Sequence, residues 1–335
     1  MVSIKDISMA CGVSTATVSK ALNGARDISE ATKERICKAA EEMGYLPNAA
    51  ARSLKTNRTN NIGVLFAEEA GIGLTQEYFA AVLEGFKNKA ESEGYDITFI
   101  NNNNAAMSYY EHCLYRNVDG VVVVCACFRD SQVGELVNSG IPSITIDYVF
   151  NGRMAVLSDN LKGMSDLVEY VYNMGHRRIA FIHGAPSSVT EKRLVGFYRT
   201  AERLGIEVPD AYVRQGIYHN PEICSRITRE LLSLSNPPTC ILFPDDFSAI
   251  GGYNEIKQQG LRIPEDISVA GYDGINLSQV MEPSLTTIHQ RTREMGSQAA
   301  SQLIHMIEHP KTTLPEISVI EGDLWEGRSV GNINI

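Results

Sequence analysis

From residue 61 onward the chain alternates short apolar runs with amphipathic stretches, and this alternation constrains the fold more than any other feature. The apolar runs are IGVLF (62–66), DITFI (96–100), GVVVV (120–124) and SITI (143–146), followed by RIAFIHG (178–184), TCILFP (239–244) and DISVAGYD (266–273). Helix-spaced segments such as YFAAVLEGFKNKAESEG (78–94) separate them. Runs apolar on both faces suit parallel strands covered by helices on each side, because a parallel connection needs a crossover long enough to hold a helix. A chain of 335 residues is long enough for two such sheets. The expected class is therefore α/β, with two parallel sheets in two lobes.

The first 46 residues follow a different pattern. Ser3 and Asp6 have the spacing of a capping box with a shortened acid, and Ile4, Ile7 and Ala10 form a first helical stripe that ends near Gly12. Gly12 supplies a tight turn, Ser14 stands at an N-cap position, and Val18 with Leu22 gives a second helix its buried edge. A third stretch, SEATKERICKAAEEMGYLP, opens on Ser29 as cap, buries Thr32, Ile36, Ala39, Ala40 and Met43, and stops at Gly44 before Pro47. Three short helices with a glycine turn between the first two form a helix-turn-helix pattern, although the same spacing also fits a small bundle that only packs.

The composition of the second helix, GVSTATVSKALNG (12–24), favours a contact role. Small and hydroxylated side chains are weak helix formers, but they let a helix backbone come close to base edges and phosphates. Thr15 and Ala16 are the expected base readers. Ser3, Ser14, Thr17, Ser19, Lys20 and Asn23 are placed toward phosphates or neighbouring bases. Charge supports this: residues 1–60 hold nine Lys or Arg against six Asp or Glu, a balance of +3 that leaves −13 for the remainder of a chain whose net charge is −10. A mildly basic head on an acidic body suits a module that alone meets nucleic acid.

Other function classes find little support. There is no phosphate-cradling GxxxxGK[ST] loop and no H-E-x-x-H metal pair, and Asp245 and Asp246 are sequence neighbours rather than opposed carboxylates, so no catalytic residue is assigned. The seven cysteines are scattered, several in apolar runs, and read as reduced buried thiols. Cys125 and Cys127 alternate on an apparent strand, but nothing completes a metal site, and neither metal nor cofactor is expected. His176 in MGHRRIAFI is placed at a helix end as a cation complementing the dipole, and Trp325 is expected to pack in the final strand region. No run approaches the roughly 20 apolar residues of a membrane span, and MVSIKDISMACG lacks a secretory pattern, so a cytoplasmic location is expected.

The segment LPNAAARSLKTNRT (46–59) has cations, alanines and one central leucine but no acid, so it has little apolar face of its own. Taken with IKDISMACGVSTATVSKALNG and ISEATKERICKAAEEMGYLPNAAARSLKTNRTNNIGVLF, it resembles the lactose-repressor/galactose-repressor family of bacterial transcription regulators over nearly the whole chain. The resemblance implies a hinge helix that folds on operator binding and wedges Leu54 into the minor groove, with Asn48, Ala51, Arg52 and Lys55 beside it. It divides the chain into a head (1–46), a hinge (47–60) and an effector and dimerisation domain (61–335), whose lobes span about 61–158 plus 288–320 and 159–287 plus 321–335.

The resemblance also implies a periplasmic-binding-protein-like fold that clamps a ligand between its lobes. Ligands of parallel sheets lie beyond the carboxyl ends of the strands, and the family's effector residues map onto Tyr78, Phe79, Asp147, Arg193, Tyr218, Asp245 and Asp273. Duller roles stand beside these. Asp245 or Asp246 could cap the following helix, Arg193 could be a surface cation, and Tyr78 and Phe79 could be core. Three carboxylates, a guanidinium and several rings suit a sugar or sugar derivative. The expected function is a homodimeric repressor of carbohydrate-use genes on a pseudo-palindromic operator. The alternatives are a purine- or protein-corepressor-responsive regulator and a transport-linked sugar receptor. Gln76 to Phe79 departs from the usual Asn-Pro-Phe-Phe entry, which leaves the effector open.

Overall fold

The computed structural model describes residues 2–25, 27–46, 58–67, 73–101 and 107–333. The chain divides into two compact units, residues 1–59 and 60–335.

In the first unit, α1 (Ile4–Cys11), α2 (Thr15–Leu22) and α3 (Glu30–Glu42) pack around Ile7, Val18, Ala21, Ile36 and Ala40. Ser3 and Asp6 close the capping box on α1, and Gly12 ends that helix at φ 61°. Ser14 caps α2 by accepting from the Thr17 amide, an interaction worth about 1 kcal/mol. Two expectations change. Ser29 precedes α3 but makes no side-chain cap bond, because its hydroxyl pairs with that of Thr32 at 2.9 Å. Ala10 is exposed, while Thr32, Ala39 and Met43 are only half-buried, so the stripe is narrower than its spacing suggests.

The second unit holds two six-stranded sheets among the described residues. The first sheet is built from β1 (Asn61–Phe66), β2 (Asp96–Ile100), β3 (Gly120–Cys125), β4 (Ser143–Ile146), β5 (Met154–Ser158) and β11 (Ile317–Ile320). Its order is β11-β5-β4-β3-β1-β2, and every pairing is parallel. The second has β6 (Ile179–His183), β7 (Val213–Gln215), β8 (Cys240–Leu242), β9 (Ser268–Asp273), β10 (Thr286–His289) and β12 (Asp323–Trp325) in the order β12-β10-β9-β8-β6-β7. The pair β10 and β12 is antiparallel, one exception to the parallel pattern.

Helices α4 (Glu77–Ser92), α5 (Tyr109–Arg116), α6 (Ser131–Asn138) and α12 (Thr292–Glu308) belong to the first lobe. The second has α7 (Asn160–Asn173), α8 (Ser188–Arg203), α9 (Pro221–Leu232), α10 (Asp246–Gln258) and α11 (Asn276–Val280). The chain crosses between lobes after β5, after β10 and after β11, so the second crossing follows His289 rather than falling at residues 287 and 288. α4 and α12 meet so closely that a Cβ at Gly296 would sit 1.9 Å from the Val82 carbonyl oxygen. Around them Phe86, Val82, Leu303 and the inner residues of β1, β3 and β4 are buried, each large apolar side chain contributing roughly 1.5–3 kcal/mol.

Three further expectations are corrected. His176 is 1% exposed; its Nε2 donates to the Gly331 carbonyl at 3.1 Å, and its Nδ1 lies 2.9 Å from the Thr239 hydroxyl. Burial holds its pKa below the ordinary value, so the ring is a neutral connector and not a helix-end cation. β3 ends at Cys125, with Cys127 exposed beyond it, so the two do not share a strand face. Only Cys113, Cys224 and Cys240 are buried, and none of the seven is in a disulfide. Trp325 lies in β12 and stacks on His289 at 4.0 Å.

Candidate functional site

On the head, Ser14, Thr15 and Ala16 are exposed at the amino-terminal turn of α2, with Thr17 and Ser19 half-buried beside them. The exposed first turn of this helix carries no acid, so its amides present partial positive charge. Other polar groups are already engaged. The Ser14 and Thr17 hydroxyls pair at 2.8 Å, Asn23 Nδ2 donates to the Ser19 carbonyl at 2.6 Å, and the Ser3 hydroxyl donates to Asp6 at 2.7 Å. Lys20 forms an ion pair with Asp27, both roughly half exposed, which holds the Asp27 carboxyl below its ordinary range. Asn48, Ala51, Arg52, Leu54 and Lys55 lie outside the described residues.

The second candidate site is the cleft between the lobes of the larger unit. Arg193, on the first turns of α8, is 3% exposed and far from a surface cation. Its Nε donates to Asn160 Oδ1 and its Nη1 to the Pro244 carbonyl, both at 2.7 Å. The guanidinium lies 3.5 Å above the ring of Tyr272 and 5.8 Å from that of Tyr218. Burial alone would weaken the charge, but Tyr218, Tyr272 and Asp273 outweigh it and the pKa rises, so the group stays cationic. Its Nη2 reaches to 3.7 Å from Asp273 Oδ1.

Asp273 ends β9 at φ 112° and is fixed there by Gln290, whose amide donates to the Asp273 carbonyl and whose Nε2 donates to Oδ1 at 2.7 Å. Burial lifts its pKa above the ordinary carboxylate range, with Arg193 pulling the other way. Among the described residues its Oδ2 takes no hydrogen bond. Tyr218, after β7, donates to the Thr190 hydroxyl at 2.9 Å, because that hydroxyl is itself committed to the Ala185 carbonyl. Its ring lies flat over Gly184, where an added Cβ would come within 2.0 Å of a ring carbon.

Across the cleft, Asp147 adopts φ 56° just past β4. One of its oxygens accepts from the Tyr78 phenol and the other from the Ser158 amide at 3.0 Å. Burial and the adjacent Asp147 carboxyl push Tyr78 well above the ordinary phenol range, which keeps it a donor. Phe79 is half-buried against the first-lobe core, edge-on to Tyr78 and Phe66. Ser188 at the start of α8 donates to the Asp147 carbonyl at 2.8 Å and so ties the lobes together.

Asp245 and Asp246 have a different role. Asp245 is fully buried as the N-cap of α10, accepting from the Ser248 amide and hydroxyl and the His219 amide. Asp246 accepts from the Ile275 amide and the Thr287 hydroxyl. Both secure the floor of the second lobe, so Asp245 has no free oxygen to offer a ligand. Asn160, Thr190, Tyr272 and Gln290 enter the site unannounced by the sequence; only Tyr272, adjacent to Asp273, carried a local signal. The single G-x-S-x-G spacing, Gly327 to Gly331, is structural: Ser329 is buried, donating to the Val269 carbonyl and accepting from the Thr286 amide. No group of three or more metal-ligating side chains occurs among the described residues.

Comparison with known proteins agrees with this two-part layout. Residues 3–48 match the description "Bacterial regulatory proteins, lacI family" and residues 168–330 match "Periplasmic binding protein-like domain". The chain is 33% identical over 340 residues to the HTH-type transcriptional repressor PurR of Serratia proteamaculans, covering 99% of this chain and 98% of that protein. Among solved structures, the transcriptional regulator CelR-cellobiose complex aligns with a TM-score of 0.73 at 25% identity, covering 98% of this chain and 100% of that one. A lac repressor dimer bound to operator and the anti-inducer ONPF shares the fold at a TM-score of 0.82 and 24% identity, covering 98% and 99% of the two chains. The chain therefore belongs to the lacI family of bacterial regulatory proteins, as a DNA-binding transcriptional repressor with a helix-turn-helix head and a two-lobed effector domain.

Proposed function

We propose that the protein is a homodimeric cytoplasmic repressor that reads a pseudo-palindromic operator with two heads, and whose effector is a purine base held in the cleft. One observation carries the purine reading. Of the three aspartates expected in the cleft, Asp147 and Asp245 are committed to protein donors, while Asp273, among the described residues, keeps an oxygen for a ligand. A sugar needs several acceptors for its hydroxyls, whereas a planar heterocycle needs stacking faces and one or two directional partners. Tyr78, Phe79 and Tyr218 supply the faces, and Asp273 with the cationic Arg193 supplies an acceptor beside a positive charge. The carbohydrate effector expected from three converging carboxylates accordingly gives way to the purine alternative, in keeping with a chain one-third identical to proteins named PurR.

Thr15 and Ala16 read bases, Ser14, Thr17, Ser19, Lys20 and Asn23 fix register on phosphates, and Leu54 wedges the central step from the hinge, with Asn48, Ala51, Arg52 and Lys55 alongside. Lobe closure on the effector changes operator affinity, and linkage makes that change reciprocal. A thermal-shift series with adenine, guanine, hypoxanthine, ribose, glucose and cellobiose tests the reading. A purine raises the melting temperature of the intact chain and not of Asp273→Ala; stabilisation by sugars alone replaces the purine with a carbohydrate.

A further inference from the structure

Gln76 and Glu77 open α4 at the mouth of the cleft, and the second of them reaches the other lobe. One oxygen, Glu77 Oε1, accepts from the Asn276 amide at 2.8 Å and from Asn276 Nδ2 at 2.6 Å, a contact between residues 199 apart in sequence. Asn276 is the first residue of α11, and the residue at the N-cap position, Ile275, is an isoleucine with no side-chain oxygen to offer. The Ile275 amide is satisfied from within its own lobe by Asp246 Oδ2 at 3.0 Å. Among the described residues the next amide is satisfied only from the opposite lobe.

From this we infer that Glu77 is a latch: a trans-lobe cap that completes the amino terminus of α11 only when the lobes are together, and so sets how readily the cleft opens. An orphan amide at a helix start needs an acceptor, and a carboxylate there is favoured by both the hydrogen bond and the local helix charge. Here that acceptor comes from α4, so the local order of α11 and the closure of the domain become one equilibrium. The Ser188 hydroxyl on the Asp147 carbonyl is a second tie between the lobes, at a separate point of the cleft. That this opening controls operator affinity rests on the reading above; the latch itself does not.

Hydrogen exchange on the full-length chain, with no purine, sugar or DNA present, tests the latch alone. In Glu77→Ala, exchange rises about tenfold in residues 275–281, and it also rises in residues 145–149, which the Ser188 hydroxyl ties to the second lobe, because the lobes part more often once the latch is lost. Glu77→Gln, which retains an acceptor oxygen, keeps most of the protection at both segments. Asn276→Ala, a change at an exposed residue, loses the side-chain bond but keeps the amide and falls between the two. A rise confined to residues 275–281 shows a simple helix cap and overturns the latch. So does unchanged exchange in Glu77→Ala. Failure of every purine to bind leaves these outcomes unaffected.

Discussion

Arg193 and Asp273 face each other at 3.7 Å in the cleft, both at least nine-tenths buried. At that separation they attract without sharing a hydrogen bond, so neither uses up its directional capacity on the other. Tyr272 beneath the guanidinium and Gln290 beside the carboxylate hold the two groups in place. A buried pair of this kind costs much of what its attraction returns, which fits a role in recognition better than one in stability.

Asp273→Asn keeps the shape and the contact with Gln290 but removes the charge. Purine binding by isothermal titration weakens about 10- to 100-fold, the range for loss of one charge-assisted bond, while head-mediated DNA binding is retained. Unchanged affinity would remove Asp273 from the ligand contacts.

Much of the architecture was legible beforehand for a physical reason. Runs such as GVVVV are buried on both faces and leave a continuous apolar signal, and β3 with the burial of Val121 to Val124 bears that out. β5, β10 and β11 were not foreseen: Met154 to Ser158 is short but fully buried, Thr286 to His289 is half threonine, and Ile317 to Ile320 is a half-exposed edge strand. In the site, the placement of Arg193 and Asp273 beside the cleft was legible because strand ends are where ligands sit. Gln290 and Asn160 were missed because nothing local distinguishes an amide that braces a distant charge. The tie between Glu77 and Asn276 spans 199 residues and exists only in three dimensions.

The ion pair of Lys20 and Asp27 masks a cation on the face of the head. Asp27→Asn releases it, so affinity for a duplex at low salt rises about three- to tenfold, and the dependence of log affinity on log salt steepens by about one phosphate contact. Weaker binding, or an unchanged salt slope, would show that Lys20 does not meet the backbone.

His176 titrates in the stabilising direction as pH rises. Its folded pKa is depressed by burial, so its contribution is present above the ordinary histidine value of 6.5 and is lost as pH falls through the folded value. Urea melts between pH 7.5 and 5 show a steeper loss of stability in the parent than in His176→Gln, by up to about 1.4 kcal/mol per pH unit. Parallel slopes would mean the ring is not held neutral.

Leu54→Ala tests the hinge. If the leucine wedges the central base step, operator affinity falls about tenfold or more, while purine binding to the larger domain is unaffected. Retained operator affinity would discard the wedge.

Coupling of the cleft to the operator is read in one titration. A duplex selected from random sequence by the full-length protein is labelled, and its affinity is followed by fluorescence anisotropy with and without hypoxanthine or guanine, for the parent chain and for Asp273→Ala. The predicted result is a change in operator affinity of about tenfold, within the usual range of coupling between sites, in the parent and none in the variant. Equal affinity with and without purine in the parent, or an equal response in both proteins, would contradict it.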